Sequence, residues 1–188
     1  MARPRSPEKS RELLHAAVQE IALAGLGAST AKIAKAANLA EGTLFTYFPT
    51  KNDLLNELYF ELKSDVYRRV NDSFPHQADL RQRARHIWIA YIDWAIEKPD
   101  ERKVSLQLNV SNIVTDATRK RVALQNGAVA PTLKEVAAKG AFKDLPAGFV
   151  TSSMAAMQDA VMDTIAKKPR QKAMLIERGF EAFWRMAK

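Results

Sequence analysis

The sequence predicts an all-α chain, and three observations carry that reading. Apolar residues recur at helical spacing along nearly all of the 188 residues. No run of four or more strictly alternating residues stands between turn signals, and eight prolines cut the chain into helix-sized pieces. Two short helices joined by a tight turn, with one helix before them, form a helix-turn-helix unit in a three-helix N-terminal head. A larger helical domain follows, making about nine helices in all.

Ser6-Pro7 places a hydroxyl at the N-cap and a proline at the first helical position of a helix running to about Ala24. Its Leu13, Leu14, Ala17, Ile21 and Ala24 share one face, and Gly25-Leu26-Gly27 ends it. Ser29 or Thr30 caps a short helix from Ala31 to Ala37, with Ile33, Ala34 and Ala37 on one face. Asn38 is expected in the left-handed conformation that stops it, Leu39 turns inward, and a third short helix runs from about Glu41 to Phe48. Past Pro49, Thr50-Lys51-Asn52-Asp53 is a hydroxyl cap with an acid three residues on, opening a long helix to about Asp72. Beyond Pro75, helices are expected at about 78–98, 100–109, 112–140 with a kink at Gly127 to Pro131, 147–167 and 170–187. The last two carry the clearest apolar stripes: Val150, Met154, Met157, Val161 and Ile165, then Ala173, Ile176, Phe180, Phe183, Trp184 and Ala187.

Composition narrows the function classes. The absence of cysteine excludes a disulfide framework, thiolate zinc sites, iron-sulfur clusters and cysteine nucleophiles. His15, His76 and His86 are too widely spaced for a helical metal pair, so no metal and no cofactor are expected. No apolar run has the length of a membrane span and no signal-peptide core follows the charged N-terminus, which predicts a cytoplasmic protein. Nor is there a nucleophile with a positioned base, a paired carboxylate or a phosphate loop, so the chain is not expected to be an enzyme. The net charge of +8 suits a polyanionic partner, but only seven Lys or Arg against four acids fall in residues 1–51, so bulk charge picks no site.

The third helix is more selective. Leu44 and Phe48, four apart, pack inward with Leu39 and Ile33, which leaves Gly42, Thr43, Phe45, Thr46 and Tyr47 wholly or partly outward. A hydroxyl-rich, aromatic face with almost no charge is odd for a solvated helix but suits one pressed against phosphates and thymine methyls. Gly42 lets backbone approach backbone, and Lys51 beyond the same edge supplies positive charge.

The segment Ile33-Ala34-Lys35-Ala36-Ala37-Asn38-Leu39-Ala40-Glu41-Gly42-Thr43-Leu44-Phe45-Thr46-Tyr47-Phe48-Pro49-Thr50-Lys51-Asn52-Asp53-Leu54-Leu55 strongly resembles the DNA-binding signature of the TetR family of bacterial transcriptional regulators. The resemblance covers about residues 8–60. It implies that Thr30, Thr43, Tyr47 and Lys51 contact phosphates and that Glu41, Gly42, Phe45 and Thr46 lie where base edges are read. Two residues depart from the family pattern. Asn38 stands for the usual turn glycine, and Ala40 for a common capping serine, which leaves the third helix without a side-chain cap. Arg3, Arg5, Lys9 and Arg11 are read either as a basic arm on DNA or as a solvated tail. Arg81-Gln82-Arg83-Ala84-Arg85 and Arg119-Lys120-Arg121 are read as solvated helix faces, with an anionic ligand as the other reading.

The expected organisation is therefore a DNA-binding domain at 1–51 and an effector-binding and dimerisation domain at 52–188. Trp88, Tyr91, Ile92 and Trp94 carry more aromatic area than one core stripe needs, so one of their faces either lines a cavity or is plain core. With Tyr59, Tyr67, Leu106, Gln107, Asn109, Asn112 and Gln125, the aromatics Trp88 and Tyr91 are the candidates for binding a small organic effector. A homodimer on palindromic operator DNA is expected, with Met154, Met157, Val161, Gly179, Phe180, Phe183 and Trp184 at the interface and Ala155, Ala156 and Ala160 permitting close approach. The function expected is a repressor-like regulator released from DNA by its effector. The alternative is a lipid- or hydrophobe-binding protein of the same architecture without DNA binding, against which Gly42-Thr43, Tyr47 and Lys51 argue.

Overall fold

A computed structural model describes residues 6–188. Among these there are ten α-helices and no strand: α1 (Pro7–Ala24), α2 (Thr30–Ala36), α3 (Glu41–Tyr47), α4 (Lys51–Asn71), α5 (Leu80–Glu97), α6 (Pro99–Asn109), α7 (Asp116–Ala123), α8 (Val129–Ala137), α9 (Phe149–Lys167) and α10 (Lys172–Arg185). Arg3 and Arg5 lie outside the described residues, while Lys9 and Arg11 are exposed on α1.

The local signals act largely as their chemistry requires. Ser29 caps α2 by accepting the Lys32 backbone N–H at 3.2 Å. Asn38 takes a φ of 55°, and its left-handed turn closes two bonds back onto α2, Asn38 N–H to the Lys35 carbonyl at 3.0 Å and Leu39 N–H to the Ala34 carbonyl at 2.9 Å. Thr50 and Asp53 form a reciprocal box, each side chain accepting the other's backbone N–H, at 3.1 and 2.9 Å. Ser6 differs: it holds the N-cap position of α1, but its side chain makes no capping bond.

The expected single helix over 112–140 is two helices, which raises the count from nine to ten. Thr115 accepts the Thr118 N–H and starts α7 at Asp116, four residues later than the apolar spacing suggested. Gly127 then breaks the path at a φ of 50°, where an added Cβ would lie 2.5 Å from the Asn71 side chain, whose Oδ1 accepts the Ala128 N–H at 3.1 Å. A left-handed glycine with a polar side chain against it makes a turn rather than a kink.

The chain divides into two compact units, and neither follows the 1–51 and 52–188 partition. The first comprises the residues up to Ser64 together with Lys98–Leu124; the second comprises Asp65–Glu97 and Gln125–Lys188. In the first, Leu13, Ala17, Ile21, Ile33, Leu44, Leu54, Leu55 and Leu58 are buried, and α6 lies against α1, with the Lys103 ammonium donating to the Ala22 carbonyl at 2.5 Å. The helix-turn-helix head thus packs with α6, and α7 belongs to the same unit.

The second unit is built around Trp88. Its ring stacks on Phe183 at 6.2 Å, lies 6.1 Å from Phe180, and its Nε1–H donates to the Ile176 carbonyl at 3.1 Å. Gly179 lets α10 approach this ring, since a Cβ there would lie 2.5 Å from Val161 Cγ2 and 3.0 Å from Trp88 Cζ2. The charged run on α5 is spent on its neighbours: Arg81 and Arg85 pair with Glu181 and Glu177 of α10, and Arg83 with Glu135 of α8. The Arg83 guanidinium holds the Glu135 carboxyl below the usual carboxylate range.

Most of the residues expected at the interface contribute to this core. Phe180 and Phe183 are 1% and 0% exposed within one chain, Met154, Val161 and Trp184 are also buried, and Met157 and Gly179 are half-buried. Most of each apolar stripe is covered by the chain's own helices. The residues that α9 leaves outside include Ala155, Ala156 and Ala160, and on α10 Met174, Arg178 and Ala182.

Phe183→Ala is therefore expected to destabilise the fold by about 3–5 kcal/mol, and Gly179→Ala by about 1–3 kcal/mol through overpacking. Urea denaturation followed by circular dichroism measures both. A Gly179→Ala variant as stable as the parent would mean that Val161 and Trp88 yield without strain.

Candidate nucleic-acid interface

Seven residues do not hold a helix in water, so α3 depends on what lies under it. Leu44 is fully buried, Phe48 nearly so, and Ile33 of α2 completes an apolar base. Ala40, at the N-cap, makes no side-chain bond, as the sequence indicated. The helix is held instead by contacts at both ends. The Thr30 hydroxyl donates to Glu41 Oε1 at 2.6 Å, and the Ser6 N–H donates to the Tyr47 hydroxyl oxygen at 3.0 Å. Lys51, at the start of α4, donates from Nζ to the Leu26 carbonyl at 2.7 Å and so ties α4 to the α1–α2 turn.

The outward side matches the face read from the sequence. Glu41, Gly42, Phe45 and Thr46 are exposed, with Phe45 presenting 41% of its surface, and Thr43 and Tyr47 are half-buried. The donor count shows what these groups can still do. Tyr47 uses its oxygen as an acceptor, which leaves its own proton free to donate, and the Lys51 ammonium has two protons beyond the one on Leu26. Thr46 gives its proton to the Gly42 carbonyl at 3.0 Å, so its methyl and oxygen lone pairs face out. A Cβ built on Gly42 meets nothing within 4 Å. Nothing among the described residues requires glycine at this position.

Sequence reasoning missed the residues that tie α7 to α4, the helix after this face. The Arg121 guanidinium is bidentate on Glu57 at 2.6 and 2.8 Å and lies 3.5 Å from the centre of the Phe60 ring. Asn56 Oδ1 accepts the Thr118 hydroxyl at 2.7 Å and the Thr115 N–H at 3.0 Å. These partners are about 60 residues apart in the chain, so no local signal pairs them. Between α1, the end of α3, α4 and α7 lies an open cleft of about 540 Å³, lined by Ser6, Tyr47, Asn56, Glu57, Thr118 and Arg121 among others. Its Arg121 and Asn56 side chains are already engaged by the contacts above, and the Tyr47 oxygen accepts from Ser6.

The effector candidates divide between the two units. Tyr59, Leu106, Gln107, Asn109 and Asn112 belong to the first unit, and Tyr67, Trp88, Tyr91 and Gln125 to the second. Tyr59 is buried, its hydroxyl donates to Asn109 Oδ1 at 3.1 Å, and the Lys63 and Arg119 cations lie 5.4 and 5.7 Å from its ring centre. Burial raises the phenol's pKa, and Arg119 offsets part of that rise. Trp88 is plain core, and the Tyr91 hydroxyl lies 3.4 Å from Asp159 Oδ1. Asn109, Asn112 and Gln125 are exposed. Among the described residues no group of three or more His, Asp or Glu is placed to hold a metal ion, and no helix is long and apolar enough to cross a membrane.

Comparison with known proteins agrees with this geometry. Residues 13–58, which contain α2, α3 and the start of α4, match the profile of the bacterial regulatory proteins, tetR family. The chain is 33% identical over 76 residues to the fatty acid metabolism regulator protein of Bacillus subtilis (strain 168), a match covering 40% of this chain and 39% of that relative's length. Over nearly its whole length it is similar to the crystal structure of a tetR family transcription regulator from Shewanella sp. PV-4, with a TM-score of 0.83, 26% identity, and 96% and 97% of the two chains covered. The transcriptional regulator FadR from Bacillus subtilis in complex with stearoyl-CoA shares the fold, with a TM-score of 0.70 at 18% identity over 92% and 96% of the two chains. On the helix-turn-helix and the matched segment together, residues 13–58 are similar to the bacterial regulatory proteins, tetR family, and the whole chain has the all-helical architecture of a solved regulator of that family.

Proposed function

We propose that this protein is a homodimeric, sequence-specific DNA-binding transcriptional regulator that leaves its operator when a small organic molecule binds. The observation that carries the reading is the outward face of α3. A buried base of Leu44 and Phe48 supports an exposed surface of Gly42, Phe45 and Thr46, edged by Tyr47 and Lys51 with protons to spare for phosphate. A hydrophobe carrier of the same architecture has no use for such a surface. The roles follow from chemistry: Tyr47 and Lys51 donate to phosphate, Phe45 and the Thr46 methyl meet thymine methyls, and Gly42 admits the backbone.

An organic effector is supported by a regulator of the same fold that is solved with stearoyl-CoA. Release is a population shift, in which an effector that prefers the form with mis-spaced recognition helices lowers DNA affinity by its differential binding. Two recognition helices entering successive major grooves require a twofold pair about 34 Å apart. The surface we assign to pairing is the outer side of α9 and α10, around Ala156, Ala160, Met174 and Ala182, which the chain's own core leaves exposed.

Tyr47→Phe and Lys51→Ala should each weaken binding to operator and random DNA alike and reduce the salt slope by about one, because each removes a phosphate contact. Phenylalanine keeps the half-buried ring in place. Affinity measured against salt on both DNAs decides it, and a variant with parental affinity and slope has no phosphate role. Gly42→Ala should leave the fold as stable as the parent, or more stable by up to about 1 kcal/mol from helix propensity, while weakening DNA binding. Thermal melting beside a DNA titration tests this, and undiminished affinity would show that no surface comes close at Gly42. Ala156→Arg with Ala160→Arg should give folded, helical monomers with much weaker operator binding. Sedimentation showing intact dimers would place the interface elsewhere.

A further inference from the structure

We propose that Glu41 selects cytosine at one position of each half-site and that Thr30 is the positioning residue that aims it. The inference rests on the reading of α3 as a DNA-recognition helix. Thr30 has one hydroxyl proton, and it goes to Glu41 Oε1 at 2.6 Å, so in this arrangement the Thr30 side chain has no donor to offer a phosphate. The contact instead joins the first residue of α2 to the first residue of α3 and holds a long side chain in one orientation on an exposed surface. Oε2 accepts no hydrogen bond among the described residues. A carboxylate held this way already has less rotamer freedom to lose on binding.

The chemistry of the groove then narrows the partner. A carboxylate only accepts hydrogen bonds and is repelled by phosphate oxygens, so a base edge is the favourable contact for it. In the major groove guanine presents N7 and O6 and thymine presents O4, all acceptors that a carboxylate repels. Adenine offers an amino donor beside the N7 acceptor. Cytosine N4 is a donor with no acceptor of its own base beside it on that edge, and it suits the open Oε2 best. Glu41 is also the acid in the first turn of a helix without a side-chain cap, where it favours the free backbone N–H groups. A bracing role of that kind predicts a change in stability without a change in base preference.

The test is a half-site library randomised one position at a time, bound by the full chain and by Glu41→Ala, Glu41→Gln and Thr30→Val, with a thermal melt of each. The parent should favour cytosine at one symmetric pair of positions by about tenfold or more. Glu41→Ala should level that preference and leave the other positions alone. Glu41→Gln, nearly isosteric and expected to stay folded if alanine does not, should move the preference toward adenine, whose N6 and N7 an amide can bridge. Thr30→Val should keep the cytosine preference but shrink it. If both Glu41 variants keep the parental base preference everywhere while only melting temperature or overall affinity falls, Glu41 is a brace and the proposal is overturned. If Glu41→Ala levels the preference but Thr30→Val leaves it intact, the positioning role of Thr30 is overturned. A parent chain that selects no sequence at all overturns the underlying reading of α3, and is distinguished from the other failures by that alone.

Discussion

A recognition helix of seven residues cannot exist without the surface it stands on, and the burial of Leu44 and Phe48 is the constraint on which the candidate DNA-binding surface depends. Those two side chains take the inner face, so every other position of α3 is turned toward an edge or outward. The missing cap at Ala40 and the short length leave little local stability. Tertiary contacts at both ends supply what the helix lacks: Thr30 to Glu41 at the start, Ser6 to Tyr47 at the finish. The groups that stabilise the helix are therefore the same groups that its outer face presents. A stiff, pre-oriented set of side chains loses less freedom when a partner arrives.

Charge is the weaker guide to function here. The arginines that give the chain much of its excess positive charge are largely committed to their own carboxylates: Arg81, Arg83 and Arg85 to α10 and α8, Arg69 to Glu97, and Arg121 to Glu57. Exposed pairs of this kind add little stability individually, but they neutralise cationic surface. By contrast, Lys51 carries one of few charges near α3, and it is anchored on a backbone carbonyl with protons left over. Position and donor count decide where an anion can be held, and net charge does not.

The local signals in the sequence were read well where the responsible atoms are neighbours in the chain. Ser29, Asn38, Thr50 and Asp53 act within a few residues of themselves, and their turns and caps follow from side-chain chemistry. Over 112–140 helical spacing predicts one helix, whereas Thr115 and Gly127 mark boundaries by the same rules and divide it. On α9 and α10 a different limit applies. An apolar stripe says that a face is covered and does not say by what. Phe180 and Phe183 are covered by Trp88 and Phe142 of the same chain.

The sequence by itself determined the helical class, the register of the helix-turn-helix and which side of α3 faces outward, because these depend on periodicity and on contacts between residues close in the chain. Tertiary structure alone decided that the head packs with α6, that the arginine runs are spent on distant carboxylates, and that Thr30 grips Glu41. Each of those rests on partners separated by loops and whole helices. Loop closure makes such meetings depend on the entire packed arrangement, and no local pattern of residues encodes them.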